Sequence, residues 1–433
     1  MKPSFRLLWS RGSREVLVSS LSGRVNVRLN DAAGTVLSAI HRGDKSLQTL
    51  REQYPSFIRS CEELGLLGGN ERTWSFTEVR HEYPLKRIQV ELTRFCNLKC
   101  PYCYSGCGPK QKAALPRERI FQILEEAKSL GCLWVDITGG EPLAHPDWRD
   151  IIGRAVELGL VTSLHSNGTL MSEDVVEDIA SLGVHHVQVS LDSHLSEVHD
   201  RSRGKKGAFE RSVRGIERCR KVGMAVTVSM VAHQGNRDHY VDAVRYFRKQ
   251  LGVRVLMDRV IRAGGELTAG VGLSTAEYFE LISPLIKDGV GESKVCDSFV
   301  TNDFKVEPYC GVAHNFVYIT AEGEMALCPT MTSRDNSMFK GPNIIETSLK
   351  GAWLESEYFT KYRGLNCRNT SRCPTAKQCG GGCRSNAYIE TGELDSPDYL
   401  SCNLNKNSTR AFVDFASLYK RPRQIGSPGA ATL

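Results

Sequence analysis

Between about Leu85 and Arg262 the sequence alternates short β-branched-rich stretches with amphipathic ones, and this exchange constrains the fold more than any other feature of the chain. Strands are expected at Ile88–Thr93, Leu133–Thr138, Thr162–Ser166, His186–Asp192, Ala225–Val231 and Arg254–Arg259. Between them, Glu118–Leu130 places Ile120, Ile123, Leu124, Ala127 and Leu130 on one helical face, and Phe209–Val222 does the same with Phe209, Val213 and Ile216. Strands separated by helices build a parallel sheet of βα units. The expected fold is therefore α/β, a partial (β/α)6 TIM-like barrel over residues 85–270 whose strand carboxyl ends carry any active site.

The flanks read differently. Residues 1–80 suggest strands at Glu15–Ser19 and Arg24–Arg28 and a helix capped by Asp31 with Ala33, Val36, Leu37 and Ile40 on its apolar face. Helices over Ser46–Tyr54 and Ser56–Leu64 and an extended piece Arg72–Val79 complete a pattern that suits a winged-helix domain. After about Gly270 the alternation fades and cysteine, glycine and asparagine become prominent, so a cysteine-rich unit is expected over 290–415 and a flexible tail over 421–433. Too little apolar periodicity remains there for a large core, and bound metal is a plausible substitute.

A length of 433 residues leaves room for two or three domains of about 100–200 residues. Hydrophobic residues at 41% and charged residues at 24% exclude a disordered or collagen-like chain. No apolar stretch reaches the roughly 18 residues of a membrane span, and Met1–Leu8 lack the apolar core of a signal peptide, so a cytoplasmic protein with no membrane partner is expected. The net charge of +7 comes without a long basic run, and no nucleic-acid partner is expected.

Fifteen cysteines are many for a reducing compartment, where disulfides contribute little. Their clustering points to metal centres. Cys96, Cys100 and Cys103 directly follow the first expected barrel strand. Three thiolates in one loop can hold three irons of a 4Fe-4S cluster and leave the fourth iron open to a small molecule, whereas structural zinc normally has four ligands in paired spacings. Cys107 would supply that fourth ligand in a zinc knuckle. Thr138-Gly139-Gly140-Glu141-Pro142 follows the next strand, with two glycines that let backbone approach a ligand and a carboxylate that can accept from an ammonium group. Cys61, Cys132 and Cys219 sit among apolar residues and read as core.

With Tyr102 just before the last cysteine and Gly-Gly-Glu after the second strand, the sequence resembles the radical S-adenosylmethionine (SAM) superfamily. The resemblance implies a SAM-binding 4Fe-4S cluster on Cys96, Cys100 and Cys103. It also implies SAM contacts from Tyr102 and from Gly139, Gly140 and Glu141 at the methionine amino group. Ser166 and Asn167 end the third strand in the same site, Ser190 meets the ribose, and Arg203 meets the carboxylate. Cys310, Gly323 and Cys328, then Cys367, Cys373, Cys379, Cys383 and Cys402, resemble the SPASM extension with its two auxiliary 4Fe-4S clusters, making three in all. By that resemblance Cys310, Cys328 and Cys383 bind the first, completed by Cys296 or left open at one iron, and Cys367, Cys373, Cys379 and Cys402 bind the second. The longer gap between Cys367 and Cys373 departs from the family spacing.

Val27–Ala33, Gly43-Asp44 and Glu62–Leu67 resemble the peptide-recognition element related to the pyrroloquinoline quinone D-type peptide chaperone, whose edge strand can pair with an extended leader peptide. Together these resemblances imply a radical SAM enzyme that makes an oxidative thioether, ether or carbon–carbon cross-link in a ribosomally made precursor peptide, with an external electron donor such as flavodoxin or ferredoxin. Two alternatives stand beside it. One is a SPASM enzyme acting on a small molecule or a sulfatase, although sulfatase maturases carry aspartate after the second SPASM cysteine and here Pro329 follows Cys328. The other is a metal-stabilised winged-helix regulator or scaffold that binds DNA or only packs on the barrel.

Overall fold

The alternating segments pair as one sheet that extends further than the sequence pattern suggests. A computed structural model describes residues 5–10, 15–20, 26–63, 65–67, 74–260, 270–287, 311–334 and 336–407. The first unit comprises β1 (Phe5–Ser10), β2 (Glu15–Ser20), β3 (Asn26–Asn30), α1 (Asp31–Arg42), α2 (Leu47–Gln53), α3 (Pro55–Glu63) and β4 (Trp74–Val79). Its sheet runs in the order β3-β2-β1-β4, with β4 parallel to β1 and the other pairs antiparallel.

Strand β1 is absent from the sequence reading for a physical reason. Leu7, Trp9, Val16 and Val18 face the helices, packing on Leu37, Phe57, Ile58 and Cys61, while Leu8, Leu17 and Val79 face the barrel at Leu133. A sheet covered on both sides has no polar positions to alternate with apolar ones, so Leu7-Leu8-Trp9 reads as an unpatterned run. Asp31 also differs from its expected role as a cap. It is the first residue of α1, and its carboxylate accepts the indole N–H of Trp9 at 2.6 Å.

The barrel strands are β5 (Arg87–Glu91), β6 (Trp134–Thr138), β7 (Val161–Ser166), β8 (His186–Ser190), β9 (Ala225–Ala232) and β10 (Arg254–Arg259), parallel to one another and neighbours in chain order. Between and after them lie α4 (Arg117–Ser129), α5 (Trp148–Glu157), α6 (Glu173–Leu182), α7 (Ser196–Arg203), α8 (Ala208–Lys221), α9 (Tyr240–Lys249) and α10 (Thr275–Lys287). Ile88 and Val90, Val135 and Ile137, Val187 and Val189, and Val228 and Met230 join Ile123, Ile151, Ile179, Ile216 and Phe247 of the helices in one core. Because side chains alternate along a strand, the opposite face carries Gln89, Asp136, Ser163, His165, Gln188, Thr227 and Ser229. That face is polar and cross-linked: Arg87 meets Asp136 at 2.6 Å, and His186 bridges Ser163 at 2.9 Å and Thr227 at 2.8 Å. A lumen with this lining suits a polar ligand better than a closed apolar plug.

The sheet does not stop at β5. Beyond it lie β11 (Phe316–Ile319), parallel to β5, and β12 (Met325–Ala326), antiparallel to β11. The helices α11 (Leu349–Glu355), α12 (Glu357–Arg363), α13 (Ala376–Cys379), α14 (Arg384–Thr391) and α15 (Tyr399–Asn407) follow. The cysteine-rich region is thus richer in core than its weak periodicity implies, because Met325, Leu327, Phe339, Ile344, Leu349, Trp353 and Phe359 pack into the barrel's own core. The indole of Trp353 donates to the carbonyl of Tyr83 at 2.8 Å, tying the two regions together. Cys61, Cys132 and Cys219 are fully buried. Cys296, Cys310 and the expected tail lie outside the described residues.

Candidate metal centre

The segment after β5 is shaped by backbone hydrogen bonds: Arg94 N to Ala113 O at 2.8 Å, Gly108 N to Arg94 O at 3.2 Å and Cys103 N to Cys100 O at 3.2 Å. This folds Cys96, Cys100, Cys103 and Cys107 against Leu98 and Ala208, all four as free thiols. Three of the sulfurs have an N–H directed at them. Asn167 Nδ2 lies 3.7 Å from Cys96 Sγ, Arg203 Nη1 lies 3.9 Å from Cys100 Sγ, and the amide of Cys107 lies 3.4 Å from Cys103 Sγ. The Cys107 thiol instead donates outward, towards Glu91 at 3.8 Å and the carbonyl of Ser105 at 3.9 Å. Cys96, Cys100 and Cys103 thus each receive an N–H from the protein, and Cys100 Sγ also lies 4.0 Å from the carbonyl of Arg203.

Burial pushes the Cys96 thiol up to about 12 and the Cys100 thiol up to about 11, while the hydrogen bond from the Cys107 side chain draws the Cys103 thiol down. A metal ion bound here must displace the protons of Cys96 and Cys100 at neutral pH, which couples binding to proton release.

Gly139 and Gly140 follow β6, and their freedom is used against protein backbone. A Cβ on Gly140 would lie 2.3 Å from the carbonyl oxygen of Phe95, and one on Gly139 (φ 158°) would lie 2.8 Å from that of Thr93. Gly140 N donates to Thr93 O at 2.6 Å and Glu141 N to Phe95 O at 2.9 Å, so this turn is stitched to the cysteine loop. Glu141 is fully buried and accepts from Leu143 N at 3.1 Å, Ser166 Oγ at 2.8 Å and Asn167 N at 2.8 Å. Desolvation pushes its carboxyl up to about 7 against the pull of those hydrogen bonds. Glu141 thus joins the β6 and β7 ends, and Asn167 carries the connection on to Cys96.

Tyr102 is buried, stacked on His233 with ring centroids 4.8 Å apart, and its hydroxyl bonds Asp192. Arg203 pairs with the same carboxylate, Nη2 donating at 2.8 Å and Nε lying 2.7 Å away without hydrogen-bond geometry, with its guanidinium 5.7 Å from the Tyr102 ring centroid. The expected carboxylate partner of Arg203 thus has a counterpart inside the chain itself. Ser190 ends β8 opposite Ser229 of β9, two positions before Asp192. Asp192 and His233 were not singled out in the sequence as site residues; their signal was position, since each stands just past the carboxyl end of a barrel strand.

A second charged group braces the loop from the other side. Arg334 pairs with the fully buried Glu91 at 2.6 Å and with Glu322, Arg94 reaches Glu322 at 3.2 Å and the carbonyl of Ser105 at 2.7 Å, and Glu91 also accepts Ala321 N at 2.9 Å. These residues join the turn after β11 to the strand that leads into the cysteines.

In the carboxy-terminal region, the Thr330 hydroxyl lies 3.3 Å from Cys328 Sγ and 2.7 Å from the hydroxyl of Ser385, two residues after Cys383. Cys379 has Cys402 and Cys367 as electrostatic neighbours, and burial pushes its thiol up to about 12. A Cβ on Gly381 (φ 92°) would lie 1.9 Å from Asn366 Oδ1 and 3.4 Å from Cys367 N, so the turn after Cys379 rests directly on the Cys367 segment in spite of the longer sequence gap. Among the described residues no group of three or more His, Cys, Asp or Glu is gathered to hold a single metal ion.

Residues 90–247 match the Radical SAM superfamily. The chain is 27% identical over 328 residues to a PqqA peptide cyclase of Granulibacter bethesdensis, covering 73% of this chain and 86% of the relative. It is 28% identical over 333 residues to a PqqA peptide cyclase of Gluconobacter oxydans, covering 74% and 91%. Its fold is similar to Streptococcus suis SuiB bound to precursor peptide SuiA, with a TM-score of 0.65 at 16% identity over 93% of this chain and 100% of that one. It is also similar to anSMEcpe with bound AdoMet and Cp18Cys peptide, with a TM-score of 0.57 at 18% identity over 77% and 96%. No helix among the described residues is long and apolar enough to cross a membrane. The matched segment contains the cysteine loop, the Gly-Gly-Glu turn and the Asp192–Arg203 pair, and the barrel of this chain is a radical SAM domain.

Proposed function

We propose that this chain is a radical SAM enzyme that modifies a ribosomally made precursor peptide by an oxidative cross-link. The observation that carries the reading is the set of three sulfurs, each with an N–H directed at it, at the carboxyl end of β5. Such hydrogen bonds favour thiolate over thiol and tune an iron–sulfur centre. When bound, a 4Fe-4S cluster and SAM supply a one-electron cleavage to methionine and a 5'-deoxyadenosyl radical that abstracts hydrogen from the peptide.

In this reading Cys96, Cys100 and Cys103 hold the cluster, and Asn167, Arg203 and the Cys107 amide stabilise their charge. Gly139, Gly140, Glu141, Ser166, Asn167, Ser190 and Tyr102 shape the SAM pocket. Arg203, already neutralised by Asp192, positions Tyr102 and Cys100 and gives its remaining N–H to the pocket. The polar lumen from Gln89 to Ser229 receives the target segment of the peptide. Two further 4Fe-4S clusters would be held by Cys328 and Cys383 with Cys310 and Cys296, and by Cys367, Cys373, Cys379 and Cys402. The unit from β1 to β4 would hold the leader, with β3 or β4 as the edge strand that pairs with it. The two PqqA peptide cyclase relatives and the two peptide-bound neighbours, SuiB with SuiA and anSMEcpe with its peptide, support the substrate class.

The test is anaerobic reconstitution followed by measurement of 5'-deoxyadenosine under dithionite, with and without short peptides encoded beside the gene. SAM cleavage together with a peptide mass lower by two hydrogens is the expected result. SAM cleavage with no peptide modified would leave the barrel reading standing and overturn the substrate.

A further inference from the structure

Residues 201–221 hold nine Lys or Arg against only Glu210 and Glu217, an excess as large as the +7 of the whole chain. Arg203 is turned inward onto Asp192. Arg201, Lys206 and Arg214 are exposed and Arg211 is half-buried, and among the described residues none of these four is ion-paired. Other arginines at the surface are treated differently: Arg117 pairs with Asp150, Arg149 with Asp178, Arg154 with Glu125, Arg237 with Glu277 and Arg368 with Asp395. Unpaired like charges held together by a fold repel one another and project a positive potential into solvent, a cost that a negatively charged partner would offset.

The position of this patch is specific. Lys205 Nζ donates to Asn97 O at 3.0 Å, and Lys99 N donates to Arg203 O at 3.2 Å. A Cβ on Gly204 (φ 64°) would lie 2.3 Å from the carbonyl oxygen of Lys99, so the α7–α8 turn rests on the backbone between Cys96 and Cys100. Lys99, itself exposed, extends the patch onto the loop. A groove of about 530 Å³ opens between Arg211, Arg214 and Arg218 of α8 and residues 169–172, and Thr169 Oγ1 accepts from Asn97 Nδ2 at 2.8 Å, so the groove wall is bonded to the same loop.

We propose that this basic face is the docking surface for a small acidic protein that carries one electron at a time. The inference rests on the radical reading, because only a reductively activated centre needs such a partner. The donor would give one electron to a 4Fe-4S cluster held by Cys96, Cys100 and Cys103, and that electron would cleave the sulfonium C–S bond of SAM to methionine and a 5'-deoxyadenosyl radical. No proton moves in this delivery. Electron transfer falls steeply with distance, so a carrier must approach the metal, and this face is hydrogen-bonded to the loop that would hold it. A nucleic acid has no need of that closeness, and a precursor peptide needs the polar lumen instead.

The experiment uses the full chain, reconstituted, with a fluorescently labelled bacterial flavodoxin as the probe. The triple reversal Arg201→Glu/Lys206→Glu/Arg214→Glu is expected to weaken flavodoxin binding by tenfold or more in anisotropy, and raised salt should weaken binding to the native chain in the same direction. Flavodoxin-driven formation of 5'-deoxyadenosine should fall in parallel, while dithionite-driven formation stays at the native level because a small reductant needs no docking face. Unchanged flavodoxin affinity in the reversal variant overturns the proposal. So does a reversal variant that loses binding of an acidic peptide or a DNA duplex but keeps that of flavodoxin. Absence of dithionite-driven cleavage in the native chain would instead overturn the radical reading, and the binding arm would still report on the surface by itself.

Discussion

The barrel's cysteine loop and the carboxy-terminal cysteines use the same residue in two settings. In the loop, two of the groups aimed at sulfur come from other elements, Asn167 after β7 and Arg203 at the end of α7, and the third, the Cys107 amide, comes from the loop itself. In the carboxy-terminal region, Cys328 has the hydroxyl of Thr330 and Cys373 that of Thr375, each two residues along, at 3.3 Å. The first arrangement is built largely by tertiary structure, from residues far apart in the chain. The second is local, so metal bound there would itself hold segments together.

The comparison breaks most sharply on removal of the thiols. Cys96→Ala/Cys100→Ala/Cys103→Ala should abolish 5'-deoxyadenosine formation and remove about four irons per chain, yet leave the circular-dichroism spectrum native. Cys367→Ala/Cys379→Ala/Cys402→Ala should also remove about four irons, but should open residues 364–407 to limited proteolysis. If the barrel variant is the one that becomes protease-sensitive, the contrast is wrong.

A smaller effect should come from the brace between the two regions. Arg334→Met leaves the buried Glu91 without its main counter-charge and should lower stability by about 3–5 kcal/mol in denaturant titration, whereas Glu91→Gln combined with Arg334→Met should recover much of that loss. Equal losses in the single and double variants would show that packing, not charge, joins the regions.

The smallest effect tests the barrel floor alone. Burial, helped by His165 and the cations Arg254 and Arg87 and opposed by Asp136, lowers His186 to about 3. The unfolded chain takes up this proton near the ordinary histidine value and the folded chain does not, so stability is present above that value and is lost as pH falls. The native chain should lose about 1 kcal/mol between pH 6.5 and 5.5 relative to His186→Gln, read from paired melting curves. Parallel curves would mean that the folded protein accepts the proton.

The six barrel strands were legible because each carries one apolar face toward helices and one polar face toward the lumen, so the sequence alternates. Strands β1 and β11 were not, since Leu7-Leu8-Trp9 and Phe316–Ile319 are covered on both sides. Residues adjacent in motifs, such as Cys96 to Cys103 and Gly139 to Glu141, could be seen from spacing. Asp192, His233 and Arg334 meet the loop from distant positions, and no local pattern brings them together. The Gly-Gly pair was found for its freedom, but the neighbour it admits is the backbone of Thr93 and Phe95. The basic stretch 201–221 escaped notice because glycine, serine and apolar helix positions interrupt it.

The pairing of β11 with β5 bears on how the chain is made. Residues 87–91 leave the ribosome more than two hundred residues before their neighbour at 316–319. Throughout that interval the first barrel strand presents a row of unsatisfied amide and carbonyl groups along one side, the kind of border on which other chains add themselves. A nascent barrel therefore waits for its last strand, and a message cut short before Phe316 would yield a protein with all six inner strands and an adhesive rim.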